Sequence, residues 1–346
     1  MAFRLILVGL GNRGRQWAEI VRNHGEAELV AVADTDPARL AAFDVQQPGV
    51  PSFPSLAAVL AGPKADAVLL VTPPVDRLAE ARAVFDAGLP LLAEKPLAVD
   101  LAEAAAIVRL AEARAMPLTV GLNFRYLAIT QAIRDLVARR AFGAPGFGQF
   151  TYQRNRDGKR PGLNKYPLTM HDPMMLEQSI HHLDLIRFAY AREVAAVACR
   201  TWNPSWSMYA HDANVSCLLT LDDGMEVNYL GTWTGGWNEL KFQWRTDCAD
   251  GVIVQQELFS DLATAHIGDT ALTPVALPEC RAFVDDSRAL LDAFIAAVHG
   301  RAAPPCDGRD HLRTLALCFA ALESAHTGQR VALDAFYIRN GLGDLA

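Results

Sequence analysis

The chain has 346 residues, 51% of them hydrophobic and 21% charged, with a formal net charge of -7. Domains usually run to ~100–200 residues, so two are expected, and the apolar fraction is ample for a packed core, which excludes a disordered or fibrous chain. The acidic balance and the lack of a Lys/Arg run offer no footprint for a phosphate backbone, so nucleic acid is not an expected partner. No apolar stretch approaches the ~20 residues of a spanning helix, and Leu5 to Val8 is too short for a secretory core. The expectation is a cytoplasmic protein with no membrane partner. Cys199, Cys217, Cys248, Cys280, Cys306 and Cys318 show no C-x-x-C spacing and sit mostly among apolar neighbours, as reduced core thiols do, so no metal is expected.

Up to about residue 122, short aliphatic runs alternate with helical stretches, the pattern of a parallel sheet covered on both faces. The strands are expected at Leu5 to Val8, Leu29 to Ala33, Ala67 to Thr72, Leu91 to Ala93 and Leu118 to Gly121. A helix from Leu101 to Arg114 has Asp100 at its N-cap, Glu103 placed as in a capping box, and Pro117 beyond its end. Beyond residue 140 the segments lengthen and become rich in Tyr, Trp, Thr and Val, as antiparallel strands are. Leu218 to Leu221, the turn Asp222-Asp223-Gly224, and Met225 to Trp233 read as a hairpin. A helix is expected after Asp172-Pro173, with Asp172 as N-cap, and two more at Val284 to His299 and His311 to Ala325. The fold class is therefore α/β: a doubly wound parallel sheet of Rossmann type over 1–122, then an α+β domain over 123–346 with a large, mainly antiparallel sheet.

Gly9-Leu10-Gly11-Asn12-Arg13-Gly14 follows the first strand and opens a helix, the context that the dinucleotide fingerprint G-x-G-x-x-G requires. Gly9 permits the turn, Gly11 lets the backbone approach a pyrophosphate, and Gly14 allows close helix packing, while the helix N-terminus supplies amides and a positive dipole. The second strand ends at Asp34, where a carboxylate meets the adenosine ribose hydroxyl and repels a 2′-phosphate, which favours NAD over NADP. Arg39 is the residue that would instead turn towards a phosphate. Asp36 competes for the ribose, although Asp36-Pro37 reads more naturally as an N-cap.

Glu94-Lys95-Pro96 ends the fourth strand at the sheet edge where ligands sit. A lysine there is commonly a solvated charge; beside a cationic nicotinamide its proton affinity would fall into a useful range. In the helix after Pro173, Glu177, His181 and Asp184 fall at i, i+4 and i+7 on one face, so that a carboxylate would orient the imidazole towards a substrate hydroxyl. The same spacing also reads as a surface ion-pair ladder or a packed histidine. His182 and Gln178 point to a different face and read as structural.

These segments resemble the Gfo/Idh/MocA oxidoreductases. The resemblance runs through Gly9 to Gly14, Val71-Thr72-Pro73-Pro74, Glu94 to Ala98, Gly121-Leu122-Asn123-Phe124-Arg125-Tyr126, Glu177 to Asp184, and the closing helix from Leu315. It departs from the family at Glu177 and Ser179, which stand where Asp and Gly are usual, and Arg77 stands near a usual His. The resemblance implies a cofactor site that includes Asn12, Arg13, Thr72, Pro73, Glu94, Lys95 and Asn123. It further implies that Lys95 touches the substrate hydroxyl, that His181 is the acid/base, that Glu177 assists or binds substrate, and that Arg125 contacts substrate. A homodimer or homotetramer is implied too.

Trp202, Trp206, Trp233 and Trp237 gather in the second domain beside Tyr166, Tyr209, His171, Asn203 and Asn238. Flat aromatic faces flanked by amides suit sugar rings, and equally a sheet packed under a helix. Tyr166 and His171 are candidate substrate contacts. Arg154, Arg156, Lys159 and Arg160 form a basic loop, either solvated or facing an acidic group. The leading expectation is an NAD-dependent dehydrogenase of a sugar, sugar derivative or cyclitol. The alternatives are a glycosidase that retains NAD and works by transient oxidation, and a nucleotide-sensing regulator.

Overall fold

The computed structural model describes residues 2–237, 239–303 and 306–345, and divides into two compact units, Met1–Asn123 with Phe283–Leu312, and Phe124–Ala282 with Arg313–Ala346. Among the described residues no helix is long and apolar enough to cross a membrane.

The first unit is built on β1 (Phe3–Val8), β2 (Ala27–Ala33), β3 (Ser52–Phe53), β4 (Ala67–Leu70), β5 (Leu91–Ala93) and β6 (Leu118–Val120). They are all parallel and lie in the order β3-β2-β1-β4-β5-β6, the doubly wound order that places ligands at the carboxyl ends of the strands. Leu5 to Leu7 and Val68 to Leu70 are buried, as the unbroken aliphatic runs require of strands covered on both faces. Connections run through α1 (Asn12–Arg22), α2 (Pro37–Gln46), α3 (Leu56–Leu60), α4 (Arg77–Asp86) and α5 (Leu101–Ala113). At α5, Asp100 caps as read, accepting from Glu103 N at 2.8 Å, while the Glu103 carboxylate accepts from Leu78 N at 3.0 Å and so ties α5 to α4.

From the sequence alone, one boundary near 122 is expected. The structure instead returns 283–312 to the first unit, and its packing says why. In α8 (Asp285–Val298), Phe294 meets Phe3 edge-on at 6.3 Å. Val120 N donates to Cys306 O at 2.9 Å, so the backbone at 306–307 covers the open edge of β6. The buried His311, in α9 (Gly308–Thr327), accepts from Leu97 N at 3.2 Å.

The second unit carries β7 (Pro145–Gln153), β8 (Val194–Trp202), β9 (Asn214–Leu221), β10 (Glu226–Thr232), β11 (Lys241–Cys248), β12 (Gly251–Gln255), β13 (Leu262–His266), β14 (Thr273–Pro274) and β15 (Val331–Ala332). Their order is β14-β13-β12-β11-β7-β10-β9-β8-β15, with β7–β10 parallel and the other pairs antiparallel. The β9–β10 hairpin forms as read, with Leu219 opposite Val227 and Gly224 at φ +87° in the turn. Helices α6 (Ala128–Ala138), α7 (Ile180–Tyr190) and α10 (Leu333–Arg339) complete this unit, together with the later part of α9. One inner row of the sheet, Cys217, Tyr229, Phe150 and Trp244, follows the strand register and is buried.

The helix read after Asp172-Pro173 begins as a π-helical turn, Met174–Ser179, and only then becomes α7. Asp172 is not its N-cap. That position falls on Pro173, and Asp172 sits in the left-handed region at φ +48°. Burial pushes its carboxyl above the usual range.

Candidate active site

In the first unit, the residues expected at a dinucleotide lie along the carboxyl edge of the sheet, where β1, β2, β4 and β5 end. Gly9 has φ +96°, and a Cβ there would lie 2.8 Å from the Val71 carbonyl carbon. A Cβ on Gly14 would land on the Gly9 carbonyl oxygen, whereas one on Gly11 would meet nothing within 4 Å. Open space at Gly11, ahead of a helix with no acidic residue in its first turn, fits a pyrophosphate held by amides and helix dipole. Asn12 accepts from Arg15 Nη2 at 2.5 Å, which places it on the flank of that turn.

Asp34 is buried, and its carboxylate accepts from Leu10 N at 2.6 Å and Asp36 N at 2.8 Å. It therefore braces the glycine turn from the position just after β2. Asp36 caps α2, accepting from Ala38 N at 2.9 Å. Arg39 leans across both carboxylates, 3.4 Å from each.

Behind the strand ends lies an ionic cluster. Glu94 accepts from Arg13 Nε and from Trp17 Nε1, both at 2.7 Å. Burial alone would raise its carboxyl, but Arg13, Trp17 and the nearby Lys95 charge outweigh this and hold it below the ordinary glutamate range. Arg13 also reaches Ser287 Oγ at 3.0 Å, so it bridges the fingerprint, β5 and α8. Glu94 and Arg13 were both expected at the cofactor, and each is engaged by the other.

Arg77, wholly buried, donates to the Thr72 carbonyl at 2.5 Å and to the Glu94 carbonyl at 3.4 Å. It ties together the main chain at the ends of β4 and β5, the segments bearing Thr72, Pro73 and Lys95. Burial lowers its pKa, while Glu80, Glu94 and Glu103 favour its charge. Thr72 Oγ1 donates to Glu80 at 2.7 Å, and Pro73 O accepts from Val75 N at 2.8 Å. Half-buried Lys95 directly follows Glu94, and its peptide bond to Pro96 is cis. Asn123 is buried and donates to Asp286 at 2.5 Å; burial raises the Asp286 carboxyl, and Asn123 opposes that. Trp17 and Asp286 carried no sequence signal. Arg77 had one, its place near a usual His, but nothing marked it as buried.

Glu177, His181 and Asp184 all lie in the second unit. Tyr166 donates to Glu177. His181 is 8% exposed and stacks on Phe124 with ring centroids 4.4 Å apart. Asp184 is buried and accepts from Arg125 at 2.7 and 2.5 Å and from Thr314 at 2.8 Å. Asp184 is thus held in a bidentate ion pair with Arg125, the residue that the resemblance implies as a substrate contact. Glu177 lies in the π turn that precedes α7, whereas His181 and Asp184 lie in α7 itself.

The four tryptophans do not form one surface. Trp233 is buried, with Arg156 over its ring at 4.2 Å and Tyr209 at 5.4 Å, so that arginine of the basic loop serves the interior. Trp206 and Trp237 are each 72% exposed, and Trp202 is also exposed. Trp237, Arg154, Glu239, Lys241 and Glu257 line a cleft of about 570 Å³ at the end of β7. His171 stacks on His211 at 3.8 Å, and Asn203 donates to Tyr209 O at 2.8 Å. Asn238 lies outside the described residues. Among the described residues no group of His, Cys, Asp and Glu is arranged to hold a metal ion.

Residues 3–122 match the model of an oxidoreductase family with an NAD-binding Rossmann fold, and residues 130–254 match the GFO/IDH/MocA C-terminal domain. The chain is 27% identical to a D-apiose dehydrogenase of Paraburkholderia graminis, over 96% of this chain and 90% of that one. It is also 27% identical to a myo-inositol dehydrogenase of Streptomyces leeuwenhoekii, over 93% and 97% of the two chains. An oxidoreductase from Agrobacterium radiobacter, crystallised with NAD+, L-tartaric acid and magnesium, has the same fold, with a TM-score of 0.88 at 23% identity over 97% of this chain and 99% of that one. Since models for both domains of one family match in sequence order, the chain belongs to the Gfo/Idh/MocA oxidoreductases, with residues 3–122 as the NAD-binding Rossmann fold.

Proposed function

We propose that the protein is an NAD-dependent dehydrogenase that oxidises a carbinol of a sugar, sugar derivative or cyclitol. The observation that carries the reading is Lys95 at the carboxyl end of β5, fixed in sequence to a glutamate that is itself bonded to Arg13 of the glycine turn. Dehydrogenases named for apiose and inositol among the relatives support a polyhydroxylated substrate. The nicotinamide, when bound, supplies the hydride acceptor. Lys95 binds the reacting hydroxyl and stabilises the negative charge that develops on its oxygen. The hydroxyl proton passes to the His181 imidazole, directly or through Lys95, and Glu177 orients the substrate or assists the imidazole. Asp34 selects NAD, since a buried carboxylate there repels a 2′-phosphate.

The test is an absorbance screen of polyols and sugars, each with NAD and with NADP, repeated on Lys95→Ala. The expected outcome is NADH formation that the substitution lowers by at least ~10²–10³-fold while NAD binding survives. Undiminished turnover would remove Lys95 from the mechanism, and activity with NADP alone would overturn the assignment of Asp34.

A further inference from the structure

Beneath Glu177 and His181 runs a buried chain of polar side chains to which the proposed chemistry gives no part. Its setting is the π turn, Met174–Ser179, in which Ile180 N–H reaches back five residues to Met175 O. Such turns are rare, hydrogen-bond less well than an α-helix, and gather at functional sites. This one rests on β10, where Tyr229 and Gly231 share a face; a Cβ on Gly231 would strike the Tyr229 hydroxyl and the Met174 methyl. The Tyr229 hydroxyl lies 2.8 Å from Ser179 Oγ and 2.9 Å from His182 Nδ1, and His182 Nε2 lies 3.1 Å from Gln178 Nε2.

The chain has a direction. An amide nitrogen only donates, so His182 Nε2 accepts from Gln178. Burial pushes the His182 pKa down to about 3, so the ring is neutral and carries its proton on Nδ1, which donates to Tyr229. The single hydroxyl hydrogen of Tyr229 then goes to Ser179. Beyond Gln178, the links to Tyr152 at 3.4 Å and on to Arg154 at 3.3 Å are longer and weaker. Phe150 and Tyr152 wall the His182 ring at 4.8 and 4.9 Å. If filling space were the only task, apolar groups would serve without the desolvation that these polar ones incur.

We propose that Gln178, His182 and Tyr229 are positioning residues, whose hydrogen-bond chain pins Ser179 and so holds the π turn that aims Glu177 and launches His181. This rests on the roles proposed above for Glu177 and His181. None of the three touches the reacting atoms; each acts through the backbone turn.

The experiment uses the full-length protein labelled with 15N, with and without Tyr229→Phe, and assigns histidine rings from His181→Asn and His182→Phe spectra. In the parent protein, His182 should show a neutral ring protonated at Nδ1. In Tyr229→Phe, the His181 ring-proton shifts, set by stacking on Phe124, should move, and kcat on a substrate found in the polyol screen should fall about 10- to 100-fold with KM for NAD unchanged. Gln178→Ala should act in the same direction and serves if Tyr229→Phe does not fold. Unmoved His181 shifts with unchanged kcat, or a His182 ring protonated only at Nε2, would overturn the proposal. Should the parent turn over none of the panel, the dehydrogenase reading fails, and the ring shifts alone decide whether the chain positions His181.

Discussion

Glu94→Gln removes the charge at the centre of the first unit's ionic cluster while keeping side-chain volume. Its carboxylate faces Arg13 and Trp17 at 2.7 Å each, and the ion-paired side chains are only 21% (Arg13) and 12% (Glu94) exposed. Breaking a buried pair on one side costs ~3–5 kcal/mol, and water reaching part of the Arg13 guanidinium reduces that to roughly 2–3 kcal/mol. For a unit of this size the loss corresponds to about 5–10 °C in melting temperature. The pH dependence has a definite sign. The Glu94 carboxyl is held below the ordinary value, so its contribution is complete above about pH 4.3 and is lost as pH falls through the lowered folded value. Urea unfolding followed by tryptophan fluorescence should show a gap between parent and variant that is flat from pH 8 to 5 and closes in stronger acid. A variant within ~0.5 kcal/mol of the parent at pH 7, or a gap that widens on acidification, would refute the account.

Gly14→Ala should melt well below the parent and lose NAD binding, because its Cβ would collide with the Gly9 carbonyl; Gly11→Ala, with open space around it, should fold normally yet bind NAD at least ~10-fold more weakly in a fluorescence titration. Arg77→Met leaves the Thr72 carbonyl without its buried donor and should destabilise by about 3 kcal/mol in urea unfolding, with weaker NAD binding as the ends of β4 and β5 part. Asp34→Ala removes both the ribose acceptor and the brace on Leu10, so titrations with both cofactors should show NAD affinity falling by at least ~10-fold and the preference over NADP shrinking.

What the sequence carried well was local. The glycine turn, the Asp100 cap, the strand-ending Glu-Lys-Pro and the 214–232 hairpin are each decided by residues within a few positions of one another. What it hid was distant. Asp184 finds Arg125 59 positions away and Thr314 130 away, partners that no local spacing announces. At the end of the π turn, Ser179 accepts from Tyr229, 50 positions further on, and an α-helical count cannot foresee the turn. Strand β3, two residues long, falls below any periodicity. Helix α8 was found by its apolar spacing, but amphipathicity says that a face is buried and not which unit buries it.

The return of 283–312 to the first unit sets an order of events during synthesis. A nascent chain that has emerged as far as Asn123 has all six parallel strands but lacks Phe294 against Phe3, Asp286 for Asn123, and the backbone at 306–307 that covers β6. At ~5–20 residues per second, the ribosome needs roughly 10–40 s more to supply them. Throughout that interval the unit has an uncovered sheet edge and an exposed aromatic, the features by which an unfinished domain recruits other chains. A holding chaperone would therefore matter most in that window.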